Sequence, residues 1–205
     1  MQDIAIIDYG MGNVRSVQKA LEHVAPNDHI FLTDNADLIR NADRVVFPGQ
    51  GAIGACMKAL DEHNLIEVIK QSVYEKPFLG ICLGLQVLFA HSQENGGVEC
   101  LSILPGDAIH FPKNGLKIPH MGWNTVNQVS EHPLWHNIDD NSRFYSVHSY
   151  FVETPDKSVV SGSSSYDIDF TCAVAKDNLF AVQFHPEKSQ HDGLQLLENF
   201  VNWKN

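Results

Sequence analysis

The first ninety or so residues alternate short apolar runs with stretches of helical spacing, and that alternation restricts the chain to a small set of folds. The runs "DIAIID" (3 to 8), "HIFLT" (29 to 33), "RVVFPG" (44 to 49) and "FLGIC" (78 to 82) read as strands. Between them, Val14, Val17, Leu21 and Val24 recur on one helical face, as do Ile53, Cys56, Met57 and Leu60. A further helix is expected to begin near Leu83. Strands alternating with helices require right-handed crossovers, so the expected core is a parallel sheet covered on both faces.

From about Gly106 the pattern changes. "GLKIP", "WNTVNQV", "RFYSVHSYFVE", "SVVSGSSS", "TCAVAK" and "LFAVQF" are rich in strand formers and separated by turn residues, which predicts antiparallel additions to the same sheet. "SGSSS" at 161 to 165 reads as a loop or a strand edge. The chain closes on a helix with Leu194, Leu197 and Val201 on one face. A chain of 205 residues supports one sizeable core, so the expectation is a single α/β domain over residues 1–205 with a mostly parallel mixed sheet.

Charge and cysteine usage narrow the function. The 14 basic against 25 acidic residues give a net charge of -11, and no Lys/Arg cluster offers a footprint for a nucleic-acid backbone. The opening residues read as a strand rather than a secretory signal, and no apolar run approaches the ~20 residues of a membrane span. A cytoplasmic protein is expected. Four widely spaced cysteines without a CxxC pair predict reduced thiols rather than a zinc site or a disulfide framework. His185, His191 and Glu187 lack a third ligand at zinc spacing, and "GMGNVR" carries Arg15 where a dinucleotide fingerprint needs its third glycine. Neither a metal nor a cofactor is expected.

"GICLG" raises a sharper possibility. Cys82 stands between Gly80 and Gly84 where a strand passes into a helix, the layout of a nucleophile elbow. The glycines leave room for a strained turn that lifts the sulfur toward solvent. The first amides of the helix and its dipole then favour a thiolate and can hold a developing oxyanion. A nucleophile needs a base held by a third group, and "LFAVQFHPEKSQ" supplies both. A strand from Leu179 to Phe184 leads to His185, a base near neutral pH, with Glu187 two residues on to fix its tautomer.

"GICLGLQ" with "HPE" resembles the triad glutamine amidotransferases, and the resemblance spans nearly the whole chain. Within that group, "IDYGMGNVRSVQKAL", "FPGQGA", "KIPHMGWN", "YSVHSYF" and "HPEKSQ" are similar to the glutaminase subunits of imidazole glycerol phosphate synthase, of histidine biosynthesis. The resemblance implies glutamine hydrolysis by Cys82, His185 and Glu187 through a thioester. It implies an oxyanion site from the Gly49–Gln50 peptide and the Leu83 N–H, and glutamine binding by Gln86, Glu94 and the backbone of Ser149 and Tyr150. It also implies a (β/α)₈-barrel cyclase as heterodimer partner, met by Asn13, His120, Trp123, Asn124, Tyr145 and Lys188. Gln50 replaces a more usual apolar residue, and Ile53 and Ser146 stand where the family more often has aromatics. Two other readings remain open on these residues. One is a glutaminase serving another synthase, for anthranilate or pyridoxal phosphate; the other keeps only the scaffold, as a Cys-His-Glu γ-glutamyl hydrolase or a non-catalytic binding module.

Overall fold

The computed structural model describes residues 1–113 and 115–204. Its first half runs β1 (Asp3–Ile7), α1 (Val14–Val24), β2 (His29–Thr33), α2 (Ala36–Asn41), β3 (Arg44–Gly49), α3 (Ile53–Glu62), α4 (Ile66–Glu75), β4 (Phe78–Cys82) and α5 (Leu83–Gln86). These bounds follow the sequence pattern closely. Val14, Val17 and Leu21 are buried along α1, and Ile53, Cys56 and Leu60 along α3. Asn35 caps α2, its side chain accepting from the amides of Asp37 and Leu38 at 2.9 and 3.2 Å, which satisfies two donors that have no partner within the helix.

Short strands dominate the second half: β5 (His91–Ser92), β6 (Val98–Glu99), β7 (Asp107–His110), β8 (His120–Thr125), β9 (Asn127–Gln128), β10 (Arg143–His148), β11 (Tyr150–Glu153), β12 (Val160–Tyr166), β13 (Ile168–Lys176) and β14 (Leu179–Val182), then α6 (Gln190–Asn202). The main sheet has the order β2-β1-β3-β4-β14-β13-β11-β7-β5-β6, with β12 paired to β13 and onward to β9. β1 to β4 and β14 are mutually parallel, and β13 turns antiparallel on β14. This is an α/β fold with a mixed sheet.

Three expectations are corrected. β8 and β10 do not join the main sheet but pair with each other as a separate antiparallel ribbon. The edges of β13 are already occupied by β14, β11 and β12, and β10 instead anchors the segment after β14, where the His185 N–H donates to the Tyr145 carbonyl at 2.8 Å. "GLKIP" forms no strand, whereas "SGSSS" lies within β12. The strand expected over 179–184 ends at Val182, so Gln183 and Phe184 lead off its carboxyl end toward His185.

Residues on opposite faces of the strands divide the core. Ile4, Ile6, Val46, Leu79 and Phe180 pack beneath α1 and α6, while Ile7, Val45, Phe47, Phe78 and Ala181 pack beneath α3 and α4. Each fully buried Val, Leu, Ile or Phe contributes about 1.5–3 kcal/mol of transfer free energy, so the sheet that carries the site is a rigid platform. No helix among the described residues is long and apolar enough to cross a membrane.

Candidate active site

Register places the sulfur. β3 sets Gly49 opposite Cys82, and on the other side β14 sets Val182 opposite Ile81, so Gln183 follows at the level of Cys82. Cys82 has φ 56° and ψ -107°, a left-handed conformation that a side chain adopts only under strain. The strain is enforced by close approach. A Cβ at Gly84 would overlap the carbonyl oxygen of Phe47, and one at Gly80 would stand 2.8 Å from the Gly84 carbonyl and 2.9 Å from the Ala181 Cβ. The strand-to-helix turn closes only with glycine at both positions, as the sequence pattern implied.

The structure brings Cys82, His185 and Glu187 together. His185 Nδ1 lies 2.8 Å from Glu187 Oε1, and both side chains are almost wholly buried, at 3% and 1% exposure. Burial alone would push the imidazole down. Its hydrogen bonds to the Cys82 sulfur and the Glu187 carboxylate, with the attraction of both charges, outweigh that and lift it from 6.5 to about 10. Ser189 fixes the turn: its hydroxyl donates to the His185 carbonyl at 2.6 Å and accepts from the Tyr145 N–H at 2.9 Å. Burial pushes the Cys56 thiol up to about 12 and the Cys100 thiol up to about 11, and also raises Cys172.

A cleft of about 260 Å³ opens over the sulfur, lined by Gln50, Cys82, Leu83, Gln86, Glu94, Ser149, Tyr150 and His185 among others. The residues expected at the oxyanion and substrate positions thus share one cavity. Gly49 packs below it, where a Cβ would meet the Tyr9 hydroxyl at 2.7 Å and the Leu83 Cβ at 2.8 Å. Glu94 is held in place because its Oε2 accepts from the Ile53 N–H at 2.8 Å, at the start of α3. The Ser149 carbonyl accepts from the Phe111 N–H, and the Tyr150 carbonyl from Gln86 Nε2 and the His148 ring.

The expected partner face divides. Trp123 is 38% exposed and stands edge-on to Tyr145 with ring centroids 6.3 Å apart, while Lys188 Nζ lies 5.9 Å from the Tyr145 ring centre. Asn13 and Asn124 are half-buried. His120 is only 4% exposed, packed against Tyr166 and bonded to His148, so its side chain faces inward. Ser146 is likewise buried in β10, opposite Gly122.

Sequence reasoning passed over two residues next to the chemistry, His148 and Gln183. Gln183 has no exposure and sits 3.7 Å from the Cys82 sulfur through Nε2. A buried amide in the otherwise apolar run "LFAVQF" was the available signal, because an unpaired amide there carries a desolvation penalty.

A strained thiol at a strand-to-helix elbow thus stands beside a histidine–glutamate pair at the carboxyl ends of parallel strands. The family model for glutamine amidotransferase class-I matches residues 5–203, and the chain belongs to that family. Solved structures agree on the fold: PurLQS from Thermotoga maritima has a TM-score of 0.75 at 18% identity, covering 98% of this chain and 99% of that one. The glutaminase domain of Trypanosoma brucei CTPS, with bound acivicin, has a TM-score of 0.68 at 16% identity, covering 100% and 96%. Much nearer in sequence are the imidazole glycerol phosphate synthase subunits HisH of Hydrogenovibrio crunogenus, 58% identical over 98% of this chain and 96% of the relative, and of Thiobacillus denitrificans, 56% identical over 98% and 91%. Within the amidotransferases, the chain belongs to the HisH family.

Proposed function

We propose that the protein is the glutaminase of an imidazole glycerol phosphate synthase, with Cys82 as nucleophile, His185 as acid and base, and Glu187 as the group that orients it. The observation that carries this reading is His185, paired with Glu187 at 2.8 Å, lining the same cleft as the strained Cys82. The thiolate attacks the side-chain amide carbon of glutamine, and the carbonyl electrons move onto oxygen, beside the Gln50 and Leu83 amides. Collapse of this intermediate breaks the C–N bond, and His185 passes its proton to the departing ammonia. Water then adds to the thioester, losing a proton to the same imidazole, and glutamate leaves as the thiolate re-forms.

Gln86 and Glu94 line the cleft with polar groups suited to the zwitterionic end of glutamine, which a plain amide would leave unpaired. Ammonia released into neutral water is protonated and no longer nucleophilic, so it must pass directly to an acceptor site. The acceptor is a (β/α)₈-barrel cyclase subunit that forms imidazole glycerol phosphate and the aminoimidazole carboxamide ribotide of histidine biosynthesis. It docks on the face carrying Asn13, Trp123, Asn124, Tyr145 and Lys188, and the pair works in the cytoplasm. The test is glutamate release with and without the cyclase, in wild type and Cys82→Ala. Partner-stimulated release that vanishes in the variant supports the reading. Hydrolysis of γ-glutamyl peptides without glutaminase activity, or stimulation only by a different synthase, overturns it.

A further inference from the structure

A run of hydrogen bonds behind the nucleophile has its donors and acceptors assigned without ambiguity. The Tyr150 carbonyl oxygen lies 2.8 Å from His148 Nδ1 and 3.0 Å from Gln86 Nε2. A carbonyl only accepts, so both nitrogens must carry protons toward it. The same Gln86 Nε2 is 3.1 Å from Gln183 Oε1, which uses its second proton. Gln183 is thereby forced to turn its own Nε2 toward the Cys82 sulfur, at 3.7 Å.

The run also extends the other way. With His148 Nδ1 donating, the Nε2 of a neutral His148 accepts, and His120 Nδ1 at 3.1 Å must donate to it. His120 Nε2 then accepts from Asn124 Nδ2 at 3.3 Å, an amide that also donates to the Ser165 carbonyl at 2.9 Å. Burial keeps both rings neutral, lowering His120 and pushing His148 down to about 3. The amide of Gln183 is thus held in one orientation by a backbone carbonyl and by partners that lead to the half-buried Asn124.

We propose that Gln183 is a further catalytic residue, whose side-chain N–H donates to the Cys82 sulfur and stabilises the thiolate over the thiol. The proposal rests on Cys82 being the nucleophile. A hydrogen bond to a charged acceptor is stronger than one to a neutral acceptor, so a fixed donor favours the ionised sulfur. The arrangement also commits Gln86, whose two amide protons are used by the Tyr150 carbonyl and Gln183 Oε1.

The test is the pH dependence of Cys82 alkylation by iodoacetamide in the full chain, followed by peptide mass spectrometry, for wild type, Gln183→Met and Gln183→Glu. The ionisable groups around the sulfur are His185 with its partner Glu187, Tyr9, His148 and Glu94, and both variants retain all of them. Gln183→Met removes the donor at similar volume. Its profile is expected to move to higher pH by about one unit, with alkylation at pH values below the wild-type midpoint about tenfold slower. Gln183→Glu can still accept from Gln86 but sets a carboxylate against the sulfur, and its profile should move at least as far. A merely structural role would change unfolding midpoints and leave the profile in place. A folded Met variant whose profile superimposes on wild type overturns the proposal; if that variant does not fold, an unshifted Glu variant does so. A wild-type Cys82 that reacts no faster than the thiols of the denatured chain overturns the nucleophile reading itself, which is a distinct result.

Discussion

Glu187 Oε1 lies 2.8 Å from His185 Nδ1, with a single proline between the two residues in the chain. The contact is local in sequence and almost sealed from water, so the carboxylate acts on the ring at close to full strength. Its second oxygen, Oε2, is buried without a hydrogen-bond partner among the described residues. Glu187→Gln keeps the shape and removes the charge. It is expected to lower kcat by about 10²- to 10⁴-fold and bring the His185 titration down from about 10. Steady-state glutaminase kinetics and imidazole NMR signals followed against pH check both effects.

The strain at Cys82 predicts a trade of stability against activity. Its φ of 56° suits glycine, so Cys82→Gly should raise stability by about 1 kcal/mol while abolishing glutamine hydrolysis. A urea midpoint that falls instead would mean that the cysteine conformation is not strained.

Glycine at the elbow answers to space. Gly84→Ala would drive its Cβ into the Phe47 carbonyl and should cost about 3 kcal/mol or more, because backbone cannot swing aside as a side chain can. Gly54→Ala, whose new methyl would meet only Val98 Cγ2 at 3.6 Å, should stabilise α3 by about 0.5 kcal/mol. Denaturant midpoints of the two variants should therefore move in opposite directions.

The buried histidines predict acid sensitivity. His148 has its folded value pushed down from 6.5 to about 3, and His132 from 6.5 to about 4, both by burial. Groups depressed in this way contribute stability that is present above the unfolded value and is lost as pH falls from 6.5 toward the folded values. His185 has the opposite sign: it is raised to about 10, contributes fully below 6.5, and loses that contribution as pH rises through 10. His148→Gln keeps a donor for the Tyr150 carbonyl without a titrating ring. Its urea midpoint should fall less between about pH 7 and pH 4.5 than that of wild type.

Met121 and Trp123 are 57% and 38% exposed on β8, beside the Lys188–Tyr145 pair. Trp123→Ala should leave the stability of the isolated chain within about 0.5 kcal/mol. If this face receives the cyclase, the variant should weaken the complex by about 2 kcal/mol, or roughly thirtyfold. Titration calorimetry with the cyclase gives the second number, and unchanged affinity would remove Trp123 from the interface.

The local code determined a good deal. Apolar runs ended by turn residues marked β1 to β4, helical spacing marked α1 and α3, and the glycines around Cys82 marked the elbow, because each signal lies within a few bonds or a single turn of its cause. "HPE" carried its own geometry, since a two-residue separation across a proline suffices to pair the ring with the carboxylate. Tertiary structure decided the rest. Nothing near residue 179 says that β14 lies parallel to β4, nor that β8 and β10 leave the main sheet as a ribbon of their own. Those pairings depend on which edges remain free once distant strands have been placed. The same long-range registers put Gln183 beside Cys82, across a separation of 101 residues, and turned His120 inward onto His148. A side chain's hydrogen-bond partner is fixed by the surface it is folded against, and that surface is contributed by other parts of the chain.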